Sequence, residues 1–351
     1  MDEYYYDAID LLKELIATPS VSRNEKDAAD VLQRHIIKFG FTPKRHNNNI
    51  WILDTDFRPE RETILLNAHI DTVKAAASWQ RDPFTPTEEG DRIYGLGSND
   101  DGGSLVSLLT AFRIMMNSSR AHNLIFLASA EEEVGGVNGI TSVLPMLPPI
   151  SFALVGEPTG MQPALAEKGL MVLDGEVKGV SGHAARNEGV NAIYKAIEVI
   201  ETLRTFKFPN ESELLGPVKI SVTKIEAGTA HNVVPDLCKF LVDVRTTDAY
   251  SNVETLEILQ RLVEGKATLT AHSTRLNPSS ISREHPFVKR ILMLGKTPYG
   301  SPTLSDQSLI PYPSLKMGPG ESSRSHTADE YITTDEIRDA IQTYVSLLLG
   351  F

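Results

Sequence analysis

Two unbroken apolar runs, Leu-Ile-Phe-Leu-Ala at 124–128 and Phe-Ala-Leu-Val at 152–155, set the tightest limit on how this chain can fold. A strand with one face in water alternates apolar and polar residues, whereas a strand covered on both faces reads as a continuous apolar run. Such runs belong to a mostly parallel sheet with helices on both faces, an α/β architecture. The surrounding segments agree with it. Ile9, Leu12, Leu15 and Ile16 recur at helical spacing until Thr18-Pro19 ends the run, and a second helix over 24–39 closes at Gly40. Further strands are expected at 50–53 and 63–69, and helical stretches at 105–116 and 136–144.

The sheet tells where to look for chemistry, because open α/β sheets gather their sites at the carboxyl ends of strands. His69 and Asp71 close T-I-L-L-N-A-H-I-D, Glu132 and Glu133 follow L-I-F-L-A-S-A, and Glu157 follows F-A-L-V-G. Two further stretches add Asp100, in G-L-G-S-N-D-D-G-G, and His326, in G-P-G-E-S-S-R-S-H-T-A-D-E-Y. Two imidazoles with three or more carboxylates suit a pair of divalent ions, zinc first because it accepts both N and O donors. Singly these motifs are weak: a strand-end histidine is more often structural, a charge run is usually a solvated face, and Glu157 alone would pass for a loop acid. Three adjacent carboxylates repel one another unless cations are near, and one of the glutamates can bind metal while its neighbour serves as base. Asp71 lies on the same face of an extended chain as His69, which suits it to orient the imidazole rather than to ligate. Spacing leaves Asp100 and Asp101 equal as the bridging aspartate. The glycine-rich stretch is not a dinucleotide loop, since Asp100 stands at its third glycine position.

The chain has 351 residues and a formal net charge of −12, which argues against a nucleic-acid or anionic-membrane partner. No apolar run reaches spanning length, and the M-D-E-Y-Y-Y-D start lacks the pattern of a signal peptide. Cys238 is the single cysteine, so no internal disulfide forms, and a cytoplasmic location is expected. Near residue 170 the pattern changes to alternating strands at 171–180, 218–225 and 236–244, helices at 191–203 and 252–263, and a short strand at 267–272. That β-α-β-β-α-β order is a ferredoxin-like split βαβ unit inserted into the α/β domain. The expected division is 1–170 with 281–351 for the metal-binding domain and 171–280 for the insert. Thr333 and Glu336 read as a capping box for a last helix, with Ile332 and Ile337 as its hydrophobic staple.

The ordered set H-x-D-T-V, G-x-G-x-x-D, E-E, V-G-E-P and G-P-G-x-x-x-x-x-H-x-x-D-E-Y, spread over about 260 residues, resembles the M20 family of zinc aminoacylases and peptidases. It is most similar to the branch holding acetylornithine deacetylase and succinyl-diaminopimelate desuccinylase. The resemblance implies two zinc ions per subunit, with cobalt also serviceable. Asp100 would bridge them, His69 and Glu157 would complete one and Glu133 and His326 the other, with Glu132 as acid/base and Asp71 as partner of His69. It implies that the insert is a lid and homodimerisation domain. His183, in V-S-G-H-A-A-R, would reach the other subunit's site, and Asn232 and Arg245 would contact substrate. The expected reaction is hydrolysis of an N-acyl amino acid, with N-acetylornithine (arginine biosynthesis) the favoured substrate. A desuccinylase is the runner-up, with Arg186 and Arg324 as possible cations for a distal carboxylate. An aminodipeptidase and a catalytically silent binding protein are the remaining readings. The chain departs from the family's D-x-K-G-G, with Asp101-Gly102-Gly103 and no lysine.

Overall fold

The computed structural model describes residues 2–186 and 188–351, which fall into two compact units. The first takes in the chain up to Leu165, Ser280–Tyr299 and Ser305–Phe351; the second is Ala166–Ser279 with Gly300–Leu304.

In the first unit the strands lie in the order Lys44–His46, Asn49–Leu53, Asn123–Ser129, Thr63–His69, Phe152–Val155, Ser314–Lys316. The last four run parallel to one another, and the first two are antiparallel additions at one edge. Every residue of Thr63–His69, Asn123–Ser129 and Phe152–Val155 is buried, as their unbroken apolar character requires. Alternate side chains Leu65, Ile125, Leu127, Ala153 and Val155 pack on one face with Ile140, Val143 and Ile310. The helix Gly103–Met115 lies against the strands Thr63–His69 and Asn123–Ser129 and buries 12 of its 13 residues, Ser104, Ser107, Thr110 and Arg113 among them. Parallel strands end on the same edge, so His69, Ser129 and Val155 bring the segments that follow them to one place.

The N-terminal helices span Asp2–Ile16 and Lys26–Lys38, the latter followed by Gly40 at φ +88°. The helix expected over 136–144 shrinks to Ile140–Val143 and a 3-10 turn, Leu144–Met146. Gly136 and Gly139 before it and Pro145 within it leave too few residues to propagate a helix. At the other end, Thr333 and Glu336 form both halves of the capping box on Thr334–Leu348, and Ile332 and Ile337 are fully buried beside it.

The second unit is a four-stranded antiparallel sheet in the order Lys219–Ala227, Leu237–Thr246, Gly169–Lys178, Thr268–Ala271. Helices Ala192–Thr205 and Asn252–Leu262 supply Ala196, Val199, Leu203 and Leu259 to a core shared with Leu173, Val242, Val244 and Cys238. Chain order and sheet order together make this the ferredoxin-like arrangement. Cys238 is a buried packing residue there. Among the described residues, no helix is long and apolar enough to cross a membrane.

Candidate metal centre

His69 is the last residue of its strand and is 3 % exposed. Its Nδ1 faces the Asp71 carbonyl oxygen at 2.9 Å, with the Asp71 carboxylate further off at 3.5 Å. This fixes the ring so that Nε2 points into the cluster, 3.1 Å from Asp100 Oδ1 and 4.0 Å from Glu132 Oε2. The fully buried Asp71 carboxylate accepts hydrogen bonds from Ser22 Oγ at 2.7 Å and from the backbone N–H groups of Glu132 and Glu133 at 3.0 and 3.2 Å. One aspartate therefore orients both the imidazole and the glutamate turn. Burial opposes its charge, but His69 and these donors outweigh burial and hold its pKa below the usual value.

The Gly97–Asp101 turn separates two residues that spacing could not. Asp100 faces both imidazoles, with Oδ1 at 3.1 Å from His69 and Oδ2 at 3.7 Å from His326. Asp101 is turned back into the protein, where its Oδ2 accepts the His69 backbone N–H at 3.2 Å. Gly97 sits at φ +76°, a conformation that glycine adopts without strain.

The three glutamates are likewise divided by backbone geometry. Glu131, at φ +55°, is buried; its carboxylate accepts from the Asn138 amide at 3.0 Å, and its own N–H goes to Glu25. It builds the turn and stays out of the cluster. Glu133 meets His326 Nε2 at 3.0 Å. Glu157 follows its strand, held close by Gly318, where a Cβ would lie 2.5 Å from the Glu157 carbonyl oxygen. Burial and the charges of Asp100 and Asp101 push the Glu157 carboxyl up, with Lys316 and His69 opposing.

The donor set fits divalent ions. Ligating atoms of His69, Asp100 and Glu133 all lie within 4.8 Å of one another. Two donors bound about 2.0–2.2 Å from one ion in tetrahedral geometry stand roughly 3.4 Å apart, close to the His69–Asp100 and His326–Asp100 separations of 3.1 and 3.7 Å. Burial raises the pKa of Glu132 and Glu157 well above the usual value, and neighbouring carboxylates push further in the same direction. So many acids around two imidazoles ask for cations.

Three residues here carry no signal that motif reading would single out. Glu330 is 2 % exposed, and burial together with the Asp100 charge pushes its pKa up to about 8. Asn99, fully buried, bonds to the loop that carries His326. Asp306 is buried, accepts from Ser129 Oγ, and lies 3.2 Å from the Asn67 amide nitrogen when that amide is turned to donate. Burial pushes Asp306 up to about 6, with Ser129 and His69 opposing. Glu330 stands within the D-E-Y motif and Asn99 within G-L-G-S-N-D-D-G-G, but neither motif marks them apart from their neighbours; Asp306 looks like any loop acid.

These shifts have a consequence for the metal-free protein. A carboxyl whose pKa is raised on folding stabilises the fold fully below its unfolded pKa of about 4, and that contribution is lost as pH rises through the folded value. For Asp306 and Glu330 the folded values are about 6 and about 8. His69, whose pKa is also raised despite burial, acts in the same direction. Chelator-treated protein is therefore expected to melt at progressively lower temperature from about pH 5 to about pH 8. A melting temperature that is level or rises across that window would contradict this.

His183, Asn232 and Arg245 belong to the second unit. His183 is exposed on the short strand Gly182–His183, paired with Val233–Val234, and the Ala184 N–H donates to the Asn232 carbonyl at 3.1 Å. Those two are neighbours. Arg245 has its fork occupied, with Nε and Nη2 on the two Asp243 oxygens at 2.9 and 3.1 Å. Of the two arginines considered for a distal carboxylate, Arg186 is exposed in the second unit. Arg324 is engaged by Glu336 at 2.9 Å and stacks on the Tyr331 ring.

Comparison with known proteins identifies the family. The profile of Peptidase family M20/M25/M40 matches residues 65–350. An acetylornithine deacetylase of Proteus mirabilis is 28 % identical, over 92 % of this chain and 91 % of that one. A succinyl-diaminopimelate desuccinylase of Orientia tsutsugamushi is 25 % identical, over 93 % and 85 %. Among solved structures, a dinuclear metal-binding M20-family peptidase of Bacillus subtilis superposes with a TM-score of 0.75 at 17 % identity, covering 99 % of this chain and 98 % of that one.

Proposed function

Since this chain belongs to peptidase family M20/M25/M40, we propose that it removes the acyl group from an N-acyl amino acid, with N-acetyl-L-ornithine the favoured substrate. The observation that carries the reading is Asp100 set between His69 and His326, with Glu132 beside it. His69 and Glu157 would hold one divalent ion, Glu133 and His326 the other, and Asp100 both. Mixed nitrogen and oxygen donors favour zinc, and cobalt is also accommodated. When bound, the ions supply Lewis acidity, which lowers the pKa of a water and polarises the acyl carbonyl.

The remaining work falls to the chain's own groups. Glu132 takes the proton of the attacking water on a carboxylate oxygen and returns it to the nitrogen of the leaving amine. Asp71 keeps Glu132 in place through the Glu132 N–H. His183 of the neighbouring subunit would donate to the developing oxyanion, with Asn232 beside it to contact substrate, and Arg245 would meet the α-carboxylate by exchanging Asp243 for it.

We further infer that the second unit forms a lid and a homodimer contact. Its edge strand Lys219–Ala227 has an unpaired side among the described residues. The outer face of Ala192–Thr205 exposes Tyr194 at 70 % and Ile197 at 56 %, more apolar surface than an isolated helix face needs. A monomer with full activity would remove His183 from a cross-subunit role.

Arg324 is engaged by Glu336 and Tyr331, so one of the two candidate cations for a distal succinyl carboxylate is already paired, which supports acetyl. The Orientia relative keeps a desuccinylase as the second reading, with Arg186 the remaining cation. Parallel kcat/KM values on N-acetylornithine and N-succinylornithine decide between them. The acetyl substrate is expected to be preferred by about tenfold or more, the 1–3 kcal/mol scale of a small pocket difference. Preference for the succinyl substrate transfers the assignment, and no hydrolysis of either overturns it.

A further inference from the structure

The strands that lead to His69, to Glu132 and Glu133, and to Glu157 are held by the parallel sheet, but the loops carrying Asp100 and His326 lie outside it. Two buried side chains that the reaction does not use join those loops. Glu330 receives three backbone N–H groups from the Asp100 turn, Gly97 on one oxygen at 3.1 Å, and Asn99 and Asp100 on the other at 2.8 and 2.9 Å. Its place is set by the strand Tyr331–Thr333, paired with Arg92–Tyr94, and by the Gly95 N–H, which donates to the Glu330 carbonyl at 3.0 Å. Asn99 reaches the other loop. Its Oδ1 accepts the Glu321 N–H at 3.0 Å, and its Nδ2 donates to the Glu321 carbonyl at 3.1 Å and to Ser325 Oγ at 3.3 Å. Ser325 is the immediate neighbour of His326, so the whole amide of Asn99 is spent on fixing that loop.

We propose that Glu330 and Asn99 are positioning residues that lock the Asp100 turn to the His326 loop, so that this side of the metal centre is assembled before an ion arrives. The inference rests on the dinuclear reading above. An ion binding to two unlinked loops has to order them at its own expense in conformational entropy, whereas here hydrogen bonds have already done so. Glu330→Gln keeps the volume but sets an amide N–H group against a backbone N–H, so at least one of the three bonds is lost. Asn99→Ala removes the link between the loops.

The test titrates the chelator-stripped chain with Zn²⁺ against a chromophoric chelator and measures melting temperature with and without metal. Glu330→Gln is expected to bind the ion about 10–100-fold more weakly than the unsubstituted chain, the cost typical of losing an outer hydrogen-bond partner. The rise in melting temperature on adding metal should shrink. A merely structural role lowers both melting temperatures together and leaves the metal-induced rise intact. Affinity within twofold of the unsubstituted chain overturns the proposal while sparing the dinuclear reading; an unsubstituted chain that binds no ion overturns both. If Glu330→Gln does not fold, Asn99→Ala is held to the same limits.

Discussion

Changing Glu132 to Gln is expected to lower kcat by about 10²–10⁴-fold, the range for losing a general acid–base group, while metal content and KM stay near their original values. The amide fills the same space and still lies beside Nε2 of His69, where Glu132 Oε2 sits at 4.0 Å. It can no longer take a proton from water, so the loss falls on the chemical step and amounts to about 3–5 kcal/mol of barrier. Its backbone anchor, the Glu132 N–H on Asp71, is untouched, so the turn and Glu133 should keep their places. Steady-state kinetics with metal analysis of the same preparation separates the outcomes. A kcat within threefold of normal removes Glu132 from proton transfer, and a variant that loses an ion makes it a ligand instead.

A pair of variants, Asp100→Ala and Asp101→Asn, should have the next largest effect and the sharpest contrast. Asp100 places one oxygen near each histidine, whereas Asp101 hydrogen-bonds to the backbone of His69. Removing Asp100 therefore takes a donor from both ions at once and leaves their positive charge less compensated. Metal affinity should fall beyond the roughly 100-fold upper range for an outer partner, with activity lost at ordinary metal supply. Asp101→Asn should stay within about 10–100-fold of the unsubstituted chain, as expected for a supporting group. Competition titration and metal stoichiometry read both variants. The reverse order of severity would exchange the two assignments.

The contrast between these aspartates marks where sequence reading stops. Both are the same residue type in one turn, and only backbone direction sends Asp100 outward and Asp101 inward. The same holds for Glu131, which the left-handed backbone at φ +55° turns away from Glu132 and Glu133. Glu330 and Asn99 lie 231 positions apart, and nothing local marks either as buried. Arg245 reads as a free carboxylate clamp until Asp243, two residues earlier on the same face of the strand, is seen in its fork. At 136–144 apolar spacing suggests a longer helix than Gly136 and Gly139 allow, and only Ile140–Val143 forms.

What the sequence by itself determined is the parallel α/β sheet, the inserted β-α-β-β-α-β unit, and the strand ends at which His69, Glu132, Glu133 and Glu157 stand. These follow from periodicity and burial along short stretches, and a strand covered on both faces leaves its mark in the residues that compose it. Only the tertiary structure decided which aspartate faces both histidines, which glutamate leaves the cluster, and how Glu330 and Asn99 tie two distant loops together. Those outcomes depend on hydrogen-bond direction and on burial by residues far away in the chain, and neither leaves a local pattern to read.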